Sequence, residues 1–217
     1  MHIIWHGQSC FQITAARAKA EQASIVIDPF DEATGLKVPS LSADALLITH
    51  DHHDHNNKKA VKGDPLVIES PGEYEIKDVY IQGIPAWHDE KEGKERGANT
   101  IYIIEAEDMR LCHLGDFGQK ELETSQLDKI GDVDILMVPV GGVYTINSKG
   151  AAKVIAQLEP RIVIPMHYHI PKLKVKLEGV DKFLKEMGKK STEAQNKLLI
   201  KRKDLPSEET KIIVLKP

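Results

Sequence analysis

Apolar residues in this chain fall in short runs, each closed by glycine, proline or charged positions. Ile3–Trp5, Cys10–Ile13, Ser24–Ile27, Ala45–Ile48, Leu66–Ile68, Thr100–Ile104, Met109–Cys112, Ile135–Val138, Ile162–Ile164, Leu198–Ile200 and Ile212–Val214 read as strands. Further short strands are expected around Tyr74–Ile76, at Val79–Ile81 and at Ile84–Trp87. Helical spacing occurs over Glu121–Ile130, with Leu122, Leu127 and Ile130 on one face. A second helix is expected after Asn147, a suitable cap, running to Glu159 where Pro160 stops it; a third lies around Val180–Met187. A short helix is expected through Lys58–Val61, and Ala15–Ala23 reads as a hairpin loop or a helical turn. The 217 residues suit one domain of α/β class spanning 1–217.

The ends of the runs carry the chemistry. Ala45–Ile48 leads directly into Thr49-His50-Asp51-His52-His53-Asp54-His55-Asn56. Imidazole and carboxylate are the usual ligands of zinc, manganese and iron. Side chains alternate in extended backbone, so His50 and His52 can point the same way. Asp54 and His55 then fall past the turn, and one short segment can serve two adjacent ions. Three more runs end on ligand-type residues: Trp87 on His88, Cys112 on His113-Leu114-Gly115-Asp116, and Pro165-Met166 on His167. Sites in layered α/β folds collect at strand ends along one sheet edge, so these residues predict a single site. The bland alternative is a solvated histidine-rich loop.

Other residues divide by position. His53 faces away from its neighbours in the H-x-H-x-D-H pattern and is expected at the surface or behind the ligands. His113 can line the pocket or orient a ligand, His169 can reach the pocket mouth, and His2 reads as structural. Asp28 ends a strand before Pro29, and reads equally as a turn former or as the carboxylate that fixes a histidine tautomer. Arg96 and Tyr144 sit in loops near ligand-bearing strands; ordinary loop residues are the simpler reading, substrate contacts the other.

Composition narrows the setting. Net charge is −4, but Pro171–Lys203 holds eleven Lys or Arg against four Asp or Glu, a local +7 that leaves −11 elsewhere. Such a region can attract a phosphorylated substrate or be a solvated face. Phe183 is the one aromatic among these lysines, which disfavours nucleic acid as a partner. No segment has transmembrane length, and the N-terminus lacks a signal-peptide pattern, so a cytoplasmic protein without membrane partners is expected. Cys10 and Cys112 lie in strand-like runs and read as buried free thiols.

Thr49-His50-x-His52-x-Asp54-His55, His88, Gly115-Asp116 and Pro165-Met166-His167, in that order, resemble the metallo-β-lactamase superfamily. Trp5–Phe11, Asp28-Pro29, Pro139–Gly142 and Pro165–Tyr168 are most similar to its small metal-dependent hydrolase branch, related to sugar-phosphate lactonases. The resemblance covers nearly the whole chain. It implies a four-layer αββα sandwich with a two-metal centre at its edge. His50, His52 and His88 would hold one ion, Asp54, His55 and His167 the other, and Asp116 would bridge them. Zinc is the favoured ion, with manganese or iron as alternatives. Asp54 would also accept a proton from the attacking water. Members of that branch often carry histidine where this chain has Gln8; His6 is the nearest histidine and so a candidate pocket residue.

The implied activity is hydrolysis of a lactone or phosphodiester in a small, anionic substrate, by a monomer or homo-oligomer. The alternatives are an iron-dependent redox enzyme on the same fold, a nuclease or phosphodiesterase acting on nucleic acid, and a non-catalytic metal-binding protein.

Overall fold

The computed structural model describes residues 1–16 and 22–217. In chain order its strands are β1 His2–Gly7, β2 Cys10–Ala15, β3 Ala23–Ile27, β4 Leu41–Ser42, β5 Ala45–Leu47, β6 Val61–Lys62, β7 Leu66–Ile68, β8 Gly72–Ile76, β9 Val79–Trp87, β10 Ala98–Ala106, β11 Met109–His113, β12 Ile135–Pro139, β13 Ile162–Met166, β14 Leu198–Leu199 and β15 Lys211–Ile212. The α-helices are α1 Thr124–Ile130, α2 Ser148–Leu158 and α3 Val180–Glu186. The expected loop or turn over Ala15–Ala23 falls largely on residues 17–21, outside the described residues.

Two mixed sheets face each other. The first runs β14-β1-β2-β3-β5-β7 and the second β15-β13-β12-β11-β10-β9-β8. Alternation in the first sheet is strict: Ile25, Ile27 and Leu47 pack into the main core between the sheets. Val26, Leu46 and Cys10 face the other way, into a smaller cluster with Phe30, Leu41, Ile48 and Val61. That outer layer is built from loops and the β4–β6 ribbon. Strands β12 and β13 are buried along their whole length, as parallel strands covered on both faces must be. The α/β sandwich expected from the sequence is the fold observed. Among the described residues, no helix is long and apolar enough to cross a membrane.

Two expectations need correction. Lys58–Ala60 is a single 3₁₀ turn, and Val61 then pairs with Leu41 as a strand. Four residues cannot offset the cost of nucleating an α-helix, and the β-branched Val61 suits the ribbon better. Val79–Ile81 and Ile84–Trp87 form one strand, with Pro85 inside it. Strand β8 pairs with β9 only as far as Gly83, so Pro85 lies where β9 has become an edge. Helix α2 forms as expected: the Asn147 side chain accepts from the Lys149 and Gly150 amides, and Glu159 closes it in a left-handed cap. Cys10 and Cys112 are buried free thiols.

Candidate metal centre

The ligand-type residues arrive from both sheets. His50 follows β5, His88 follows β9, Asp116 lies just past β11, and His167 follows β13. Strands β11, β12 and β13 run parallel, so Asp116 and His167 leave the same end of the second sheet. The Thr100 amide donates to the Thr49 carbonyl at 2.9 Å, which joins the two sheets directly behind His50. The Asn99 side chain accepts from the Asp116 amide at 3.0 Å and donates to the Leu114 carbonyl at 2.9 Å, fixing the loop that presents the carboxylate. The backbones must approach closely here. A Cβ on Gly118 would lie 2.3 Å from the His88 carbonyl, and one on Gly141 2.2 Å from the His167 carbonyl, so only glycine fits at either position.

Within this frame the histidines converge. The His50 ring centroid lies 4.5 Å from that of His52, 4.1 Å from His55 and 4.7 Å from His88. Nε2 of His55, His88 and His167 each sit 3.3 Å from the same Asp116 oxygen. Three overlapping groups bring one potential ligand atom per residue within 4.8 Å of one another: His50–His52–His88, His50–His55–Asp116 and Asp54–His55–His167. His50, His55, His88, Asp116 and His167 are buried, Asp54 is half-buried and His52 is exposed, giving a dry floor and an open rim.

Asp28 is fully buried beneath this floor and organises it. Its carboxylate accepts from the Thr49 amide at 2.8 Å and from the Thr49 hydroxyl at 2.7 Å. It also lies 2.9 Å from His55 Nδ1. The Thr49 oxygen is 3.0 Å from His50 Nδ1. A carboxylate only accepts, so the hydroxyl proton goes to Asp28 and His50 Nδ1 must carry its own. Both imidazoles are therefore held with Nε2 turned into the cluster. Asp28, Gln8 and His167 have left-handed backbone, with φ of 48°, 50° and 50°. Each such residue costs about 1–3 kcal/mol, and the three meet at one place.

The β1–β2 turn is the part of the site that the sequence pattern did not reveal. Gln8 Nε2 donates to Asp54 Oδ2 at 3.2 Å, and Ser9 Oγ to Asp116 Oδ1 at 3.3 Å. The Gln8 carbonyl accepts from the His167 amide at 3.0 Å. His6 lies half-buried with Gln12 as its side-chain partner, and no hydrogen bond joins it to the cluster among the described residues. Alternation along β1 sends Trp5 into the core and His6 to the opposite face. His113 uses both ring nitrogens within the protein: Nε2 donates to the Ser9 carbonyl at 2.9 Å and Nδ1 accepts from the Gly115 amide at 3.1 Å. It braces the Asp116 loop. His53 and His169 are exposed.

The electrostatics are those of a positive-charge receptor. Burial, then the neighbouring imidazole of His55, pushes His50 far below its ordinary pKa. Burial lowers His167 as well. Burial opposes the charge on His55, yet Asp116 and Asp28 outweigh it and hold its pKa well above the usual value. Burial likewise opposes ionisation of Asp116, and His167 and His55 hold it well below the carboxylate range. Nε2 of His50 and His55 is buried without a hydrogen bond. Several buried ring nitrogens directed at one carboxylate cannot all be satisfied by the protein itself. A mixed imidazole–carboxylate donor set of this kind fits divalent cations.

The family model for the beta-lactamase superfamily domain matches residues 2–167. A protein from Thermococcus onnurineus, named a metal-dependent hydrolase, is 33% identical over 191 residues, covering 75% of this chain and 82% of its own. A metal-dependent hydrolase of Thermoplasma volcanium is 30% identical, covering 77% and 83%. Among solved structures, a Thermotoga maritima chain assigned as a Zn-dependent hydrolase of the metallo-beta-lactamase superfamily superposes with a TM-score of 0.77. It is 34% identical and covers 99% of this chain and 97% of its own. Igni18, a metallo hydrolase of Ignicoccus hospitalis, shares the fold at 20% identity with a TM-score of 0.62, covering 92% and 99%.

Proposed function

The chain belongs to the beta-lactamase superfamily, and on that premise we propose that it is a metal-dependent hydrolase with a dinuclear centre. Its target is an ester-type bond, a lactone or phosphodiester, in a small anionic substrate. The overlap of the three ligand groups carries this reading: His50–His52–His88 and Asp54–His55–His167 are separate triads, and His50–His55–Asp116 links them. The first triad would hold one ion, the second the other, and Asp116 both. Zinc is the favoured ion, with manganese or iron as alternatives.

Two divalent ions bound there would supply the Lewis acidity that makes water a nucleophile at neutral pH and polarises the bond under attack. The protein's share is positional. Asp28, directly and through Thr49, fixes the His55 and His50 rings. The buried floor excludes bulk water and so strengthens each electrostatic contact. Asp54, half-buried at the rim and held by Gln8, is the carboxylate placed to take a proton from the attacking water.

The test is to reload metal-free protein with zinc, manganese and iron in turn, and to assay a lactone series and bis(4-nitrophenyl) phosphate. Metal-dependent turnover of either class is the expected result. Oxygen uptake by the iron form, with no hydrolysis under any ion, would replace this reading with the iron-dependent redox one.

A further inference from the structure

The loop that follows His88 is built around a buried carboxylate. Asp89 accepts four backbone amides: Lys91 at 2.7 Å and Gly93 at 3.1 Å on one oxygen, Glu95 at 3.0 Å and Arg96 at 2.8 Å on the other. The His88 amide donates to the Gly97 carbonyl at 3.1 Å, closing the loop at its base. Apart from Gly93, which packs against the Trp87 ring, the loop is polar and charged. Satisfying one buried carboxylate with its own amides holds it in a single shape.

That shape fixes Arg96 within one residue of the pairing partner of His88. The Arg96 guanidinium lies over the Tyr144 ring, 5.0 Å from its centroid. Tyr144 belongs to the loop after β12, in which Gly141 packs on the His167 carbonyl and the Ile146 amide donates to the Phe117 carbonyl at 3.0 Å. The Gly118 amide donates to the Trp87 carbonyl at 3.0 Å. The Arg96–Tyr144 contact thus joins the loop after His88 to the loop after β12, which packs on His167. Among the described residues its guanidinium has no carboxylate partner and no hydrogen bond. Lys91, in the same loop, pairs with Glu95, and Arg110, Arg161 and Arg202 elsewhere are all paired. Tyr144, Val143 and Trp87, in or beside these two loops, are exposed.

We propose that Arg96, backed by Tyr144, binds the anionic group of the substrate, a carboxylate or phosphate set beside the bond that is cleaved. This rests on the hydrolase reading and assigns its substrate-anion contact. A guanidinium offers parallel N–H donors matched to two oxygens of such a group. The aromatic face holds it without consuming those donors. The lysines of Pro171–Lys203 are then ordinary solvated charge.

The experiment compares γ-butyrolactone with the same ring bearing a carboxylate at C5, on wild type, Arg96→Ala and Arg96→Lys. Binding to the metal-free full chain is measured by saturation-transfer NMR, and turnover on the metal-loaded chain. Wild type should bind the carboxylate form at least tenfold tighter than its parent. Arg96→Ala should lose that preference, Arg96→Lys should keep part of it, and the ratio of kcat/KM values should follow. Metal stoichiometry in both variants reports that the site has stayed folded. An equal preference in wild type and Arg96→Ala, or none in wild type, overturns the proposal. Arg96-dependent binding with no hydrolysis of any ester or phosphodiester would sink the hydrolase reading and leave the anion site standing. Hydrolysis without dependence on Arg96 would do the reverse.

Discussion

The two ends of the sandwich handle charge in opposite ways. At the end where β11, β12 and β13 finish, Asp28, His55 and Asp116 are almost wholly buried, and each contacts another ionisable group. At the end where they begin, Arg110 pairs with Glu105, and both Arg161 and Arg202 lie against Asp134, at 3.3 and 3.7 Å. Those arginines keep contact with solvent along a cleft of about 1580 Å³. Exposed pairs cost little to form and contribute about 0–1 kcal/mol, whereas charges taken out of water demand partners and are worth retaining only for a purpose. Left-handed backbone does not follow that division: Gln8, Asp28 and His167 adopt it at the first end, and Asp78, Glu107, Asp108 and Glu159 along the cleft at the other.

Substitutions sharpen this contrast. The largest effect is expected from Asp116→Ala. Removing the carboxylate on which three imidazoles converge should release at least one metal equivalent and abolish turnover; retention of both ions at wild-type affinity would count against a bridging role. Next comes Asp28→Ala, which leaves the Thr49 amide and His55 Nδ1 buried without partners. A loss of about 3–5 kcal/mol in urea unfolding is expected, with metal affinity weakened about 10–100-fold. Gln8→Ala frees Asp54 without emptying the floor. It should weaken one ion only, about tenfold, in a calorimetric titration that leaves the other equivalent unchanged. At the opposite end, Arg161→Ala should cost no more than about 1 kcal/mol and leave metal content alone. A cost there equal to that of Asp28→Ala would erase the distinction between the two ends.

How much of this was legible in the sequence follows from the same physics. His50, His88, Asp116 and His167 could be placed because each closes a run of buried strand, and the order of runs set the order of the site. Asp28 could be singled out but not decided: Asp-Pro at a strand end suits a turn as well as a buried acceptor, and only the packing of Thr49 and His55 around it separates the two. Gln8 and Ser9 were missed as polar contacts because their targets are 46 and 107 residues away in the chain. His6 attracted attention by residue type, yet strand alternation turns it to the other face. The helix expected at Lys58–Val61 failed because four residues carry too little periodicity to distinguish a turn and a strand from a helix. Asn99 gave no sequence signal at all; its role exists only across paired strands.

The central claim is a pair of ions sharing Asp116. Anomalous scattering at the absorption edge of the loaded metal, from crystals of the reconstituted protein, tests it directly. The account predicts two peaks roughly 3.5–4 Å apart, one against His50, His52 and His88, the other against Asp54, His55 and His167, with Asp116 in contact with both. A single peak under fully loaded conditions, or two peaks of which Asp116 touches only one, would contradict it.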